Sequence, residues 1–125
     1  MKILVTGCDG YIGWPTFLKL CFSNKRLNIL GIDNFSRRKW VKEVKSKSKI
    51  RIFSMKERLK ELNKYKLKNK FKFKKIDLTN QKKIKDLIRK FKPDVILHLA
   101  AQPSAPYANT SLEKCIFTTQ NNNIG

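Results

Sequence analysis

An apolar, β-branched run, Lys2-Ile3-Leu4-Val5-Thr6, leads straight into three glycines spaced Gly7-x-x-Gly10-x-x-Gly13, and a pattern of helical period comes next. Strand, tight turn and helix in that order make a phosphate cradle. Gly7 lets the chain turn sharply off the strand, Gly10 admits a pyrophosphate close to the main chain, and Gly13 lets the new helix pack tightly on a sheet. The first N–H groups of that helix and its positive dipole end then face the phosphates, with no lysine required. Taken singly, the same triplet serves an ordinary strand-to-helix turn.

The next apolar segment gives the triplet its weight. Leu27-Asn28-Ile29-Leu30-Gly31-Ile32-Asp33 is a second short run that ends on an acid, where a parallel βαβ unit places a carboxylate at the neighbouring strand's carboxyl edge. Asp33 is placed to accept hydrogen bonds from the hydroxyls of an adenosine ribose. Arg37 and Arg38 come after it, either as a solvated pair or as a welcome for the 2′-phosphate of NADP. An acid facing a dianion is strongly unfavourable, so Asp33 favours NAD.

The remaining elements fall in order. The first helix is expected from Tyr11 to Asn24, with Ile12, Phe17, Leu18, Leu20, Cys21 and Phe22 buried and Pro15 near its first turn. Asn34 to Lys39 reads as a polar loop. Met55, Leu59 and Leu62 recur at helical spacing, so one amphipathic helix is expected from Ser54 to Leu67. Phe71 to Asp77 alternates apolar and basic residues like a strand near a sheet edge, and it ends on a second acid, Asp77-Leu78, a turn-former or an adenine partner.

Ile84, Leu87, Ile88 and Phe91 then mark a helix capped by Thr79 or Asn80 and stopped at Lys92-Pro93. Asp94 to Leu99 is nearly continuous in apolar residues, the mark of a central parallel strand buried on both faces. A loop of small residues and prolines runs from Ala100 to Tyr107, and Leu112 to Ile124 reads as helix.

Composition bounds the partners. With 125 residues the chain makes one domain, short of the two βαβαβ halves of a complete dinucleotide fold. A net charge of +20 invites nucleic acid, but the lysines are spread over helix and strand faces without an aromatic-interleaved basic motif, so a solvated surface is the reading preferred over nucleic acid. Cys8, Cys21 and Cys115 show no C-x-x-C pairing, which suits free thiols in a reducing cytoplasm and gives metal binding no support. No apolar run is long enough for a signal peptide or a membrane span.

Together, Thr6-Gly7-x-x-Gly10-x-x-Gly13, Asp33-Asn34, Asp77-Leu78, His98-Leu99-Ala100-Ala101-Gln102 and Asn122-x-x-Gly125 resemble the NAD-dependent epimerase/dehydratase family, the extended short-chain dehydrogenase/reductases that act on nucleotide sugars. Gly10-Tyr11-Ile12-Gly13-Trp14, Asp33-Asn34-x-x-Arg37-Arg38, Ser104-Ala105-Pro106-Tyr107 and Gln120-Asn121-Asn122 resemble its UDP-sulfoquinovose synthase branch, with a departure at Pro103, where that branch carries arginine. The resemblance covers essentially the whole chain.

It implies an α/β fold, a Rossmann-type three-layer sandwich with a parallel sheet in strand order 3-2-1-4, incomplete on its carboxyl-terminal side. It implies that Gly7, Gly10, Tyr11, Ile12 and Gly13 line the pyrophosphate of NAD, Asp33, Asn34 and Arg38 the adenosine ribose, Asp77 and Leu78 the adenine, and Ala100, Ala101 and Gln102 the nicotinamide half. Asn122 would flank the nicotinamide ribose, and Ser104, Ala105, Pro106 and Tyr107 would border the nucleotide-sugar substrate, a UDP-sugar.

Enzymes of this family deprotonate a sugar hydroxyl with a tyrosine four residues before a lysine, so that hydride passes to NAD. No tyrosine here fits: Tyr11 is followed at that offset by Pro15, Tyr65 by Asn69 and Tyr107 by Ser111. His98 reads as a packed strand-end residue. The chain is therefore expected to be the amino-terminal, catalytically inactive part of a longer cytoplasmic enzyme, homodimeric when complete, that needs its carboxyl-terminal portion or a complementing chain. The alternative from another class is a stand-alone basic module for nucleic acid or an acidic partner on the same scaffold.

Overall fold

The computed structural model describes residues 1–101 and 108–124. In chain order it contains β1 (Lys2–Thr6), α1 (Gly13–Cys21), β2 (Asn28–Asp33), α2 (Ser36–Glu43), α3 (Met55–Leu62), β3 (Lys70–Lys75), α4 (Gln81–Phe91), β4 (Val95–His98) and α5 (Leu112–Ile124). The strands form one parallel sheet in the order β3-β2-β1-β4, the order expected from the sequence.

Each face of the sheet has its own apolar layer. Ile3, Val5 and Ile29 meet Phe17 and Cys21 of α1 and Met55 and Leu62 of α3 on one side. Leu4, Leu30 and Ile32 meet Leu87 of α4 on the other, flanked by Ile84 and Phe91. The alternation along β1 and β2 sends successive side chains to opposite layers, which is why both strands read as unbroken apolar runs.

Several elements differ from expectation. α1 is shorter at both ends, because Ile12 is spent as its N-cap and Phe22 as its C-cap. Ile12 and Phe22 are accordingly exposed, and Phe22 meets Tyr65 edge-on at 5.2 Å on the surface. Leu18 and Leu20 are half-buried. α3 begins as expected, with a capping box between Ser54 and Glu57, but stops at Leu62. There the N–H groups of Lys64 and Tyr65 tighten onto the Glu61 and Leu62 carbonyls and end the helical ladder.

The stretch read as a polar loop after Asp33 is largely the helix α2. Asp33 Oδ1 accepts the Phe35 N–H at 2.7 Å and Asn34 Oδ1 accepts the Ser36 N–H at 2.9 Å, while Phe35 takes a left-handed φ of 64°. These side-chain turns swing the chain off β2 and start the helix. β4 also departs from the reading as a strand buried on both faces: it lies at the sheet edge, beside β1 alone, and Val95 and Ile96 are 37% and 47% exposed.

Asn69, at the foot of β3, is a tie that sequence pattern did not reveal. Its Oδ1 accepts the Leu27 N–H at 2.7 Å, and its Nδ2 donates towards the Leu20, Cys21 and Ser23 carbonyls at 3.0, 2.9 and 2.8 Å. One buried amide thus satisfies the last carbonyls of α1 and pins them to the start of β2.

Cys8 and Cys21 are buried free thiols and Cys115 is exposed. Burial pushes the Cys21 thiol up to about 12. Burial also raises Cys8, with Asp33 and Asp9 adding to it. The expected result of brief alkylation of the native chain is a single label on Cys115, with Cys8 and Cys21 modified only in denaturant, as read by peptide mass spectrometry. No helix among the described residues is long and apolar enough to cross a membrane.

Candidate functional site

The carboxyl ends of all four strands open onto one cleft. Because α1 carries the chain from β1 to β2 and α4 carries it back past β1 to β4, the strand order reverses between β1 and β4, and ligands of such sheets settle at that reversal.

The glycine turn forms the floor. Gly7 has φ +68°, and a Cβ there would come within 2.5 Å of the Leu99 carbonyl oxygen at the end of β4. The Gly10 N–H donates to the Gly7 carbonyl at 3.0 Å, closing the turn. The N–H groups of Tyr11, Ile12 and Gly13 donate to no partner among the described residues, and they stand at the start of α1 where the helix dipole favours an anion. The turn therefore presents backbone donors, and no side chain blocks the approach at Gly10.

Asp33 ends β2 beside that floor. Its Oδ2 accepts the Asp9 N–H at 2.9 Å while Oδ1 holds Phe35, which fixes the carboxylate and leaves each oxygen a second lone pair. Burial pushes the Asp33 carboxyl up, and the hydrogen bonds from Phe35 and Asp9 oppose it. Asn34 donates to Asp77 Oδ2 at 3.0 Å. The other Asp77 oxygen accepts the Thr79 N–H at 3.0 Å and its hydroxyl at 2.8 Å. Burial raises Asp77, but the bonds from Thr79 and Asn34 outweigh it and hold the carboxyl below the usual range.

Of the residues singled out in the sequence, Gly7, Gly10, Asp33, Asn34, Asp77 and Leu78 line the cleft together with Ala100, Ala101 and Asn122. Tyr11, Ile12 and Gly13 follow Gly10 at the start of α1 and are not among the lining residues. Gln102, Ser104, Ala105, Pro106 and Tyr107 lie outside the described residues, as do Pro103 and Gly125.

Arg38 is also absent from the lining, although its neighbour Arg37 is part of it. Arg38 instead forks onto Asp9, Nε to Oδ2 at 2.5 Å and Nη2 to Oδ1 at 2.7 Å. Asp9 and Trp40 are site residues that sequence reasoning did not single out; Thr79 reads in the sequence only as a helix cap, and Arg37 only as one of a pair. For Asp9 the signal was its place between Gly7 and Gly10; for Trp40 there was none, since its contact with Phe117 of α5, at 6.1 Å, joins distant parts of the chain. His98 Nδ1 sits 3.0 Å from the Thr6 hydroxyl across the β1–β4 pair, as a strand-end residue.

The chain is similar to known proteins along nearly its whole length. It is 38% identical over 124 residues to UDP-sulfoquinovose synthase of Sulfolobus acidocaldarius, a match covering 99% of this chain and 31% of that protein. Its fold matches dTDP-glucose 4,6-dehydratase of Bacillus anthracis, solved in complex with NAD, with a TM-score of 0.60 at 22% identity over 88% of this chain and 29% of that one. It matches UDP-glucose 4-epimerase of Thermotoga maritima, solved with UDP-glucose, with a TM-score of 0.61 at 21% identity over 97% of this chain and 30% of that one. The chain thus spans about a third of the length of the relatives it matches. The model of the GDP-mannose 4,6 dehydratase family matches residues 4–125, and the chain belongs to that family.

Proposed function

We propose that the chain is the NAD-binding domain, residues 1–125, of a nucleotide-sugar oxidoreductase of the epimerase/dehydratase type, acting on a UDP-sugar in the manner of the sulfoquinovose synthases. The observation that carries the reading is the meeting of the glycine turn with Asp33 at the point where strand order reverses. Backbone donors of Tyr11, Ile12 and Gly13 would hold the pyrophosphate over Gly7 and Gly10, Asp33 and Asn34 would hold the adenosine ribose, Asp77 and Leu78 the adenine, and Ala100, Ala101 and Asn122 the nicotinamide half. The cradle fits: a Cβ built at Gly10 would meet the Gly7 carbonyl alone, and the N–H groups of Tyr11, Ile12 and Gly13 have no acceptor among the described residues.

When bound, NAD would take a hydride from a sugar carbon and return it. This chain's residues would orient the cofactor and exclude water from its adenosine end; the Tyr-x-x-x-Lys pair that moves the proton is not in this sequence. The domain alone is therefore proposed to be inactive and to require a complementing portion, which would cover Val95 and Ile96 on the open edge of β4. In the complete enzyme a second subunit would cover the exposed Leu112 and Ile116 of α5, giving a homodimer. Three free thiols suit a reducing cytoplasm.

Isothermal titration with NAD tests the reading. Asp33→Ala removes the ribose acceptor and is expected to weaken NAD by about tenfold to a hundredfold, on the order of 1–3 kcal/mol for lost charged hydrogen bonds. Equal affinity in parent and variant, or no binding by either, would sink it.

A further inference from the structure

Arg38 stands beside the carboxyl end of β2, next to Asp33, where a dinucleotide's adenosine ribose would lie. A forked guanidinium there is the usual welcome for a 2′-phosphate. The structure directs it elsewhere. Both arms of Arg38 close on Asp9 at 2.5 and 2.7 Å, and Nη2 also donates to the Phe53 carbonyl at 2.9 Å. Arg58, reaching from α3, approaches the same carboxylate at 3.3 Å while its guanidinium lies 5.0 Å from the Trp14 ring centre.

Asp9 is therefore no ordinary loop acid. Its side chain is 5% exposed, it sits inside the glycine turn, and its own N–H is held by Asp33 at 2.9 Å. Asp33 thus faces this corner of the cleft, and Arg38, the arginine that could offset its charge for a phosphate, is engaged by Asp9. A dianion arriving at that corner would meet like charge from Asp33 while the Arg38 fork is held on Asp9, in a partly buried setting where screening is weak.

We propose that Asp9 is a second specificity-determining residue for NAD over NADP, acting by holding Arg38 away from the ribose. The inference rests on the NAD-binding reading above. It differs from assigning discrimination to Asp33 alone, because the charge at the end of β2 becomes only one of two barriers.

The test is calorimetric titration of the 125-residue chain with NAD and with NADP. Asp9→Asn keeps the volume and removes the charge; it is expected to improve NADP relative to NAD by about tenfold. Adding Arg38→Met to that variant should cancel the gain, since the released guanidinium supplies it. A merely structural role for Asp9 would weaken both cofactors together and leave their ratio unchanged, which would overturn the proposal.

Asp33→Asn decides the matter without touching the turn, should Asp9→Asn fail to fold. With Asp9 and Arg38 still paired, NAD should remain preferred by about tenfold or more; disappearance of the preference would assign it to Asp33 alone and overturn the inference. A parent chain that binds neither cofactor would overturn the NAD-binding reading itself, a different result from a parent that binds NAD while the ratio in its variants fails to move.

Discussion

Gly13→Ala is expected to abolish the native fold of this chain. A Cβ built at Gly13 falls inside the Gly7 carbonyl oxygen, and the next atoms it meets are the Gly7 carbonyl carbon at 2.8 Å and the Cys8 Cα at 3.0 Å. All three belong to backbone. No flexible side chain can step aside, and Gly7 cannot retreat, because its own Cα faces the end of β4. The α1 helix would have to lift off the sheet, uncovering Phe17 and Cys21, both buried in the larger apolar layer. Such a displacement costs on the order of 3–5 kcal/mol, comparable with the whole stability of a small domain at roughly 5–15 kcal/mol.

Far-ultraviolet circular dichroism with a urea titration reads the effect directly: the variant should show no cooperative transition, or one shifted down by several kcal/mol. A variant within about 1 kcal/mol of the parent would show that the turn can relax. Gly10→Ala is the control. Its Cβ meets only the Gly7 carbonyl oxygen, at 3.1 Å, so folding should survive with a small loss while the approach to the main chain narrows.

Asn69→Asp is expected to produce the second large loss, about 3 kcal/mol or more, with Asn69→Ala somewhat below it at about 2–3 kcal/mol. The amide has two N–H hydrogens, which three carbonyls of the α1 terminus share, and a single oxygen that holds Leu27. Alanine leaves the Leu27 N–H and the Cys21 and Ser23 carbonyls without the partner that Asn69 gives them, in a place where water has little access, while the Leu20 carbonyl keeps the Ser23 N–H at 3.2 Å. Aspartate aims a negative charge at three carbonyl oxygens. A lowered urea midpoint at unchanged slope measures the cost; equal midpoints for parent and Asn69→Ala would mean that water takes over the bonds.

Features that depend on neighbours in sequence are legible from the residues alone. Apolar runs mark β1, β2 and β4, alternation of apolar and basic residues marks β3, the i, i+3, i+4 spacing marks α4, and Ser54 with Glu57 three positions on marks the start of α3. The glycine spacing and the acids ending β2 and β3 likewise identify the cleft, because each sits where its strand stops. Whatever depends on distant partners stays hidden. α2 is a run of mostly charged residues with no apolar face of its own, and its place is set by Arg38 reaching back 29 positions to Asp9.

The same reason separates Arg37 from Arg38. Adjacent arginines are interchangeable as text, but helical geometry turns one towards the cleft and the other towards the glycine turn. Asn69 is invisible for a similar cause, since its acceptors lie 46 to 49 residues upstream. β4 misleads in the opposite way: its sequence records the burial of an interior strand, while its place in the sheet leaves one flank open.

The placement of β1 between β2 and β4 also sets a timetable. Of the strands here β1 leaves the ribosome before its neighbours, finding β2 after some two dozen residues but waiting for β4, since Leu4 faces Ile96 across the sheet. Until that late arrival the nascent chain holds a greasy ribbon with one bare side, and such long-separated pairings are slow to form. Folding during synthesis should therefore stall as a half-zipped intermediate, and chaperone dependence in the cell would be traced to the order in which the ribbon's companions emerge.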